Sequence, residues 1–279
     1  MSDLAIATDT SSELAAQAYV RARRMNLLQQ LALGIGLPLC CLVVWEVFAR
    51  FGIIDRRFFP APSDTFSATV SLLSHPDERG RLFLDMLATY RRLALGYLIG
   101  ATLGVVTGVA MALSKPIRYS LAPSINATFP TPKLAIFPLL IVIFGLGDSS
   151  KIALVALGVF YMTCLSSLSG VLYASPMHRD VAQAFRIPAW VRWTRVVIPS
   201  AMPSIVTGLK LGLGQALILV VSAEFVSAQE GLGHFIWDSW QVLDVPRMFM
   251  GLIVVALTGG FAVLLGEILE RRLIPWAPK

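Results

Sequence analysis

Long uncharged runs alternate along the chain with short basic or proline-rich segments. Met25–Trp45 is 21 residues without a charge, Leu93–Ser114 is 22, Ile152–His178 is 27 and Met248–Gly266 is 19. Each matches or approaches the ~20 helical residues that cross a hydrocarbon core. Two further runs carry one lysine each: Tyr119 to about Gly147, interrupted by Lys133, and Ser200 to about Glu224, interrupted by Lys210. Counting both gives six crossings, with the two termini on one side. The fold expected is all-α, a polytopic membrane protein with six transmembrane helices.

The segments divide accordingly. Residues 1–24 form a polar N-terminal tail, where Thr10 and Glu13 have the spacing of a capping box. Residues 25–49 form the first span, too long for a signal-peptide core and without a small-residue cleavage site, hence an uncleaved anchor. Residues 50–92 hold Pro60, Pro62 and Pro76, then an amphipathic stretch Leu82–Leu93. They read as an external loop followed by an interfacial helix that runs into the next span, with Arg91 and Arg92 snorkelling to headgroups. Residues 93–270 make the core, with a basic loop at 174–199, and 271–279 a C-terminal tail.

Composition agrees with a membrane protein. Hydrophobic residues are 56% and charged residues 14%, against about 25% charged in soluble domains. The net charge of +6 would suggest nucleic acid on a soluble domain. Here it follows from lysine and arginine collecting in cytoplasmic loops, so the partner expected is a lipid bilayer and not a nucleic acid. With both termini in the cytoplasm, inner segments hold twelve basic residues and outer segments nine, a small bias in the expected direction. Cys40, Cys41 and Cys164 lie in apolar runs, and His75, His178 and His234 lack ligand spacing, so no metal site or cofactor is expected.

Several features suggest mechanism. Gly96, Gly100, Gly104 and Gly108, spaced by four, make one smooth helical stripe suited to close packing inside a subunit, to a dimer interface or to a moving contact. In the third span, Asn126 to Lys133 is too polar for lipid. Pro130 and Pro132 break helix hydrogen bonds, which is tolerated only against protein or a water-filled cavity. Lys133 either snorkels to the inner interface or lines a translocation path with Thr128 and Thr131, favouring an anion. Glu224, at the outer end of the fifth span, either pairs with basic residues of outer loops or shapes an outer gate. Phe225–Arg247, with Trp237 and Trp240, suits an interfacial helix.

Enzyme readings fail on order and spacing. Gly145-Leu-Gly147-Asp-Ser-Ser-Lys151 lacks the GxxxxGK(S/T) order of a phosphate loop. Ser167-Leu-Ser169-Gly170 lacks a nucleophile elbow.

The basic loop carries the strongest signal. Ser175 and Pro176 start a helix over Met177–Ile187; Pro188 ends it and begins a second, Ala189–Val197, before Pro199 opens the next span. Asp180-Val181-Ala182, position 186 and Ile198-Pro199 resemble the EAA…G…LP loop of bacterial ABC import permeases. FPAPSD (59–64), FPLLIVIFGLGDSSKIALVALGVF (137–160), IPSAMPSIVTGLKLGLG (198–214), AEF (223–225), GLG (231–233) and LERRLIPW (269–276) extend the likeness. Together they resemble the nitrate/sulfonate/taurine family of these permeases.

That resemblance implies a type I, MetI-like importer permease in a bacterial inner membrane, a homodimer with the pathway between subunits. It implies cytoplasmic ABC ATPases, which alone bind ATP and magnesium, and a periplasmic binding protein that faces the Phe225–Arg247 region. Asp180, Ala182, Ala184, Phe185, Arg186, Pro188, Trp193 and Pro199 would form the coupling surface. The chain departs from the family with Asp180 for the usual Glu, Arg186 for the usual Gly, and Lys133 for a second proline. The other classes are an ion-gradient-driven secondary transporter, which needs intramembrane carboxylates and repeated halves, and a purely structural membrane subunit.

Overall fold

A computed structural model describes residue 29 and residues 33–173, 184–185 and 187–276. These are helices and connections, without strands among the described residues. The chain divides into two units, Met1–Ser67 and Ala68–Lys279.

In the first unit, α1 (Leu33–Arg50) presents nearly all its side chains outward, as an apolar helix facing lipid does. Its Glu46 accepts from the backbone N–H of Ser63 at 3.0 Å, from the Ser63 hydroxyl at 2.7 Å and from Arg50 at 2.5 Å. This caps the start of α2 (Pro62–Ser74) with a carboxylate, where the unpaired N–H groups of a helix favour one. Arg56 grips Asp64 with both carboxylate oxygens at 2.8 and 2.6 Å.

The prolines read as loop punctuation are helix starters. Pro62 and Pro76 begin α2 and α3 (Pro76–Leu113), and proline also occupies the first turn of α4 (Lys115–Thr128), α5 (Phe137–Phe144), α7 (Ile198–Ser227) and α9 (Val245–Leu273). Proline suits that position because its missing N–H is unpaired there anyway and its φ is already helical. Residues 62–74, expected as loop, are therefore helical. The amphipathic stretch and the second span are one 38-residue helix.

Among the described residues, five helices are long and apolar enough to cross a membrane: Leu33–Arg50, Pro76–Leu113, Asp148–Leu172, Trp190–Ser227 and Val245–Leu273. The broken pair Lys115–Thr128 and Lys133–Phe144, bent by 96°, brings the count to six when it is taken as one span. Pro130 and Pro132 supply the break, and a short 3-10 turn, Lys133–Ile136, leads into α5.

α6 (Asp148–Leu172) lies between α3 and α7 and buries a core of Leu154, Val155 and Val159 against Ala101, Phe137, Ala216, Leu219 and Val220. A second cluster joins Leu72 and Leu82 to Leu232, Phe235 and Ile236 of α8 (Leu232–Gln241) and Met250 of α9.

The glycine stripe of α3 faces α6. A Cβ at Gly96 would come 2.6 Å from Val155 Cβ, at Gly100 2.8 Å from Val159 Cβ, at Gly104 2.7 Å from the Phe160 carbonyl and at Gly108 2.8 Å from Ser167 Cβ. Those distances leave no room for any side chain. Thr163 returns its hydroxyl to its own helix, at 2.9 Å from the Val159 carbonyl.

The helix before the fifth span does not end at Pro199. Ala189–Arg192 passes through a π-helical turn, Trp193–Val197, straight into α7. The turn falls where the N–H missing at Pro199 would otherwise have bonded Arg195, so the wider register absorbs the lost donor.

Gly100→Leu should lower the thermal unfolding midpoint of the purified protein, by an amount equivalent to about 3 kcal/mol, because the contact cannot repack around four extra carbons. Gly80→Ala, where a Cβ meets nothing within 4 Å, should not lower it.

Candidate translocation and coupling sites

α3 carries Asp85, Thr89 and Arg92 at spacings of four and three, hence on one face. α7 ends at Glu224–Ser227, and α8 begins after Gly231-Leu-Gly233. Three successive backbone N–H groups at the start of α8 find acceptors in the other two helices. Gly231 donates to Asp85 at 2.7 Å, Leu232 to the Thr89 hydroxyl at 2.8 Å and Gly233 to Glu224 at 2.9 Å. The Thr89 hydroxyl in turn donates into the Glu224 carboxylate, 2.9 Å from each oxygen.

Both glycines are required. Gly231 has φ +123, and a Cβ there would lie 2.5 Å from the Glu224 carboxyl carbon. A Cβ at Gly233 would lie 2.6 Å from the Val221 carbonyl.

Glu224 is 1% exposed and Arg92 2%. Arg92 donates to Glu224 at 2.8 Å, to Asp148 at 2.6 Å, to the Glu230 carbonyl at 2.7 Å and to the Glu230 carboxylate at 3.2 Å. Its planar fork thus joins α3, the start of α6, the end of α7 and the turn into α8. A buried charge is tolerable only when paired and hydrogen-bonded, and here both partners are. Arg92 therefore does not snorkel to headgroups. The half-exposed Arg91 also pairs with Asp148.

Lys133 sits at the break in the third crossing. Its ammonium donates to the carbonyls of Phe129 at 2.5 Å and Thr131 at 2.8 Å, and lies 4.4 Å from the centre of the Tyr161 ring. It thus occupies carbonyls that the proline break leaves without helical partners. The Tyr161 hydroxyl donates to Thr128 Oγ1 at 2.8 Å, and Thr128 donates to the Ser124 carbonyl at 2.6 Å. Asn126, Thr128 and Thr131 remain exposed on this broken helix. Lys133 and Glu224 belong to separate clusters.

Of the segment expected to couple to an ATPase, Asp180, Ala182 and Arg186 lie outside the described residues. Ala184 and Pro188 are exposed, as are Phe185 and Trp190, at 76% and 67%. Trp193 is half-buried against the Val171, Val197, Ala201 and Ile205 cluster, and Pro199 is half-buried inside the continuous helix.

Asp85, Thr89, Asp148 and Glu230 of this arrangement escaped the sequence reading, as did the pairing of Lys210. Thr89 and Asp85 were signalled only by their spacing to Arg92. Lys210, read as an interruption, pairs with Glu270 of α9 at 2.7 Å.

Residues 96–275 match the model of the family described as binding-protein-dependent transport system inner membrane component. The chain belongs to this family. The permease is 33% identical over 258 residues to the taurine transport system permease protein TauC of Escherichia coli, covering 91% of this chain and 92% of that protein. It is 30% identical over 243 residues to the putative aliphatic sulfonates transport permease protein SsuC of Bacillus subtilis, covering 87% of each. In fold it is similar to a chain of the inward-facing MetNI methionine ABC transporter, with a TM-score of 0.59, 17% identity and coverage of 69% of this chain and 97% of that one. An amino acid ABC transporter gives a TM-score of 0.57 at 18% identity, covering 74% and 98%.

The molecule is thus a multi-pass inner membrane protein, the permease component of an ABC importer, with a MetI-like fold. A secondary transporter and a purely structural subunit are set aside. In such a family ATP hydrolysis falls to a partner subunit.

Glu224→Ala should cost about 3 kcal/mol in unfolding stability, because Arg92, Thr89 and the Gly233 N–H all lose a buried acceptor, although Asp148 and Glu230 still pair the guanidinium. Thr89→Val should cost about 1–3 kcal/mol, since the Leu232 N–H loses its acceptor. Chemical denaturation of the purified permease measures both.

Proposed function

We propose that this permease imports a small anionic solute, with a sulfonate such as taurine or an alkanesulfonate as the class best supported and nitrate as the smaller relative. The observation that carries the reading is the near full-length likeness to TauC of Escherichia coli, together with SsuC of Bacillus subtilis. A periplasmic binding protein delivers the solute, and two cytoplasmic ATPases, holding ATP and magnesium, drive the cycle. Both termini lie in the cytoplasm, in keeping with the twelve-to-nine distribution of basic residues. The tail 1–24, the first span 25–49, the outer segment 50–92, the core 93–270 and the tail 271–279 are its functional divisions.

The pathway lies between two copies of the chain. Asn126, Thr128 and Thr131 support this, since exposed polar groups on a proline-broken helix require protein or water beside them and not lipid. Lys133 lends this surface a positive charge while its ammonium holds the break. Glu224 belongs to a closure at the outer end, where Arg92 locks α7 to α8. Gly96, Gly100, Gly104 and Gly108 pack α3 to α6 within one copy.

Residues 174–199 dock the ATPase through Asp180, Ala182, Ala184, Phe185, Arg186, Pro188 and Trp193. The exposed Phe185 and Trp190 fit the apolar groove that receives a short helix. ATP-driven approach of the two ATPases pushes these segments together and turns the cavity outward; release of the hydrolysis products resets it.

Taurine or alkanesulfonate uptake should stop in cells whose partner ATPase binds but cannot hydrolyse ATP. Uptake that persists and follows a proton or sodium gradient would overturn the proposal. Asp180→Lys should reduce co-purification of the ATPase at least tenfold while membrane insertion stays normal, and undiminished co-purification would remove this residue from the docking surface.

A further inference from the structure

A cavity of about 760 Å³ opens beside the ionic cluster, lined by Arg92, Gly147, Asp148, Lys151, Ser227 and Glu230 among others. Its volume falls within the ~300–1,000 Å³ of small-molecule sites. Neither of its two unspent donors takes part in the staple of α3, α7 and α8.

The first is Lys151, on the first turn of α6 and 2% exposed. Its ammonium donates to the Leu146 carbonyl at 2.9 Å and the Gly147 carbonyl at 3.1 Å. An ammonium has three N–H donors, so one remains. The nearby carboxylates are turned to another cation: Asp148, Glu224 and Glu230 all accept from Arg92. Among the described residues Lys151 has no ion-pair partner in direct contact, so its ammonium is hydrogen-bonded to carbonyls alone while Asp148, Glu224 and Glu230 act on it from farther off. A buried ammonium with a spare N–H and no direct ionic contact gains from an anion brought within hydrogen-bond distance. The second donor is Ser227, whose buried hydroxyl has no hydrogen-bond partner among the described residues.

We propose that Lys151 and Ser227 receive the oxyanion head of the transported solute in this cavity. The ammonium supplies the charge and its free N–H, and the hydroxyl supplies a second donor to another oxygen of a sulfonate. Arg92, with four of its five N–H donors taken and its charge matched by Glu224, Asp148 and Glu230, sets the wall. This inference rests on the proposal that the solute is a small sulfonate, and names where its charged group is held within the permease.

The test uses the complete permease–ATPase complex without binding protein, unfolded thermally in millimolar ethanesulfonate or taurine against sodium chloride of equal ionic strength. The wild-type midpoint should rise by about 2 °C or more at saturation in either sulfonate. Lys151→Gln should abolish the rise, Ser227→Ala should reduce it by at least half, and Lys151→Arg should retain it. No rise in the wild-type complex, or an undiminished rise in both Lys151→Gln and Ser227→Ala, overturns the site. Should Lys151→Gln fail to assemble, Ser227→Ala decides alone, and an unchanged response overturns it. A rise lost on substitution, in a protein whose cells take up no sulfonate, keeps the oxyanion site and removes the solute assignment. Sulfonate uptake unaltered by Lys151→Gln removes the site and leaves the importer reading intact.

Discussion

The ion pair between Arg92 and Glu224 constrains everything around it. Two charges, each almost wholly withdrawn from solvent, must meet in good geometry and must have their remaining hydrogen-bonding capacity used. Those demands place Thr89 one turn before Arg92, fix glycine at 231 and 233, and bring Asp148 and Glu230 to the other edges of the guanidinium. The position of α8 follows, because its first three N–H groups are received by side chains of α3 and α7.

The third crossing meets a different constraint with the same chemistry. Proline removes backbone donors and leaves carbonyls exposed where lipid cannot solvate them. The chain answers with Lys133, folded back over the end of α4 onto those carbonyls, and with the ring of Tyr161 beneath the ammonium. Lys151 does the same for the turn between α5 and α6, where Gly145 takes φ +83. Two lysines thus close two breaks in one broken hairpin.

Helical spans were readable from charge-free runs because lipid enforces that pattern residue by residue. Their ends were less so. α3 extends far beyond its apolar run, since Asp85, Arg91 and Arg92 find partners in protein and need not reach headgroups. The helical character of 62–74 was obscured by prolines that mark a start as readily as a stop. Glu224 stood out as an isolated carboxylate, yet its partner lies 132 residues earlier in the chain. No local pattern encodes such a pairing; it depends on how α3 and α7 come together. Lys151, counted as one more basic residue of an outer segment, is buried for the same reason. The family was recognisable from motif order, which survives the changes at Asp180 and Arg186.

The glycine seam between α3 and α6 has a mechanical consequence. Backbone set against backbone has no rotamers to exchange and no gap to close, so the two rods share one rigid-body motion. Rearrangement in this molecule is left to joints with give: the 96° elbow between α4 and α5, and the widened turn ahead of α7. A bend at that turn swings α7 against a stiff two-helix post.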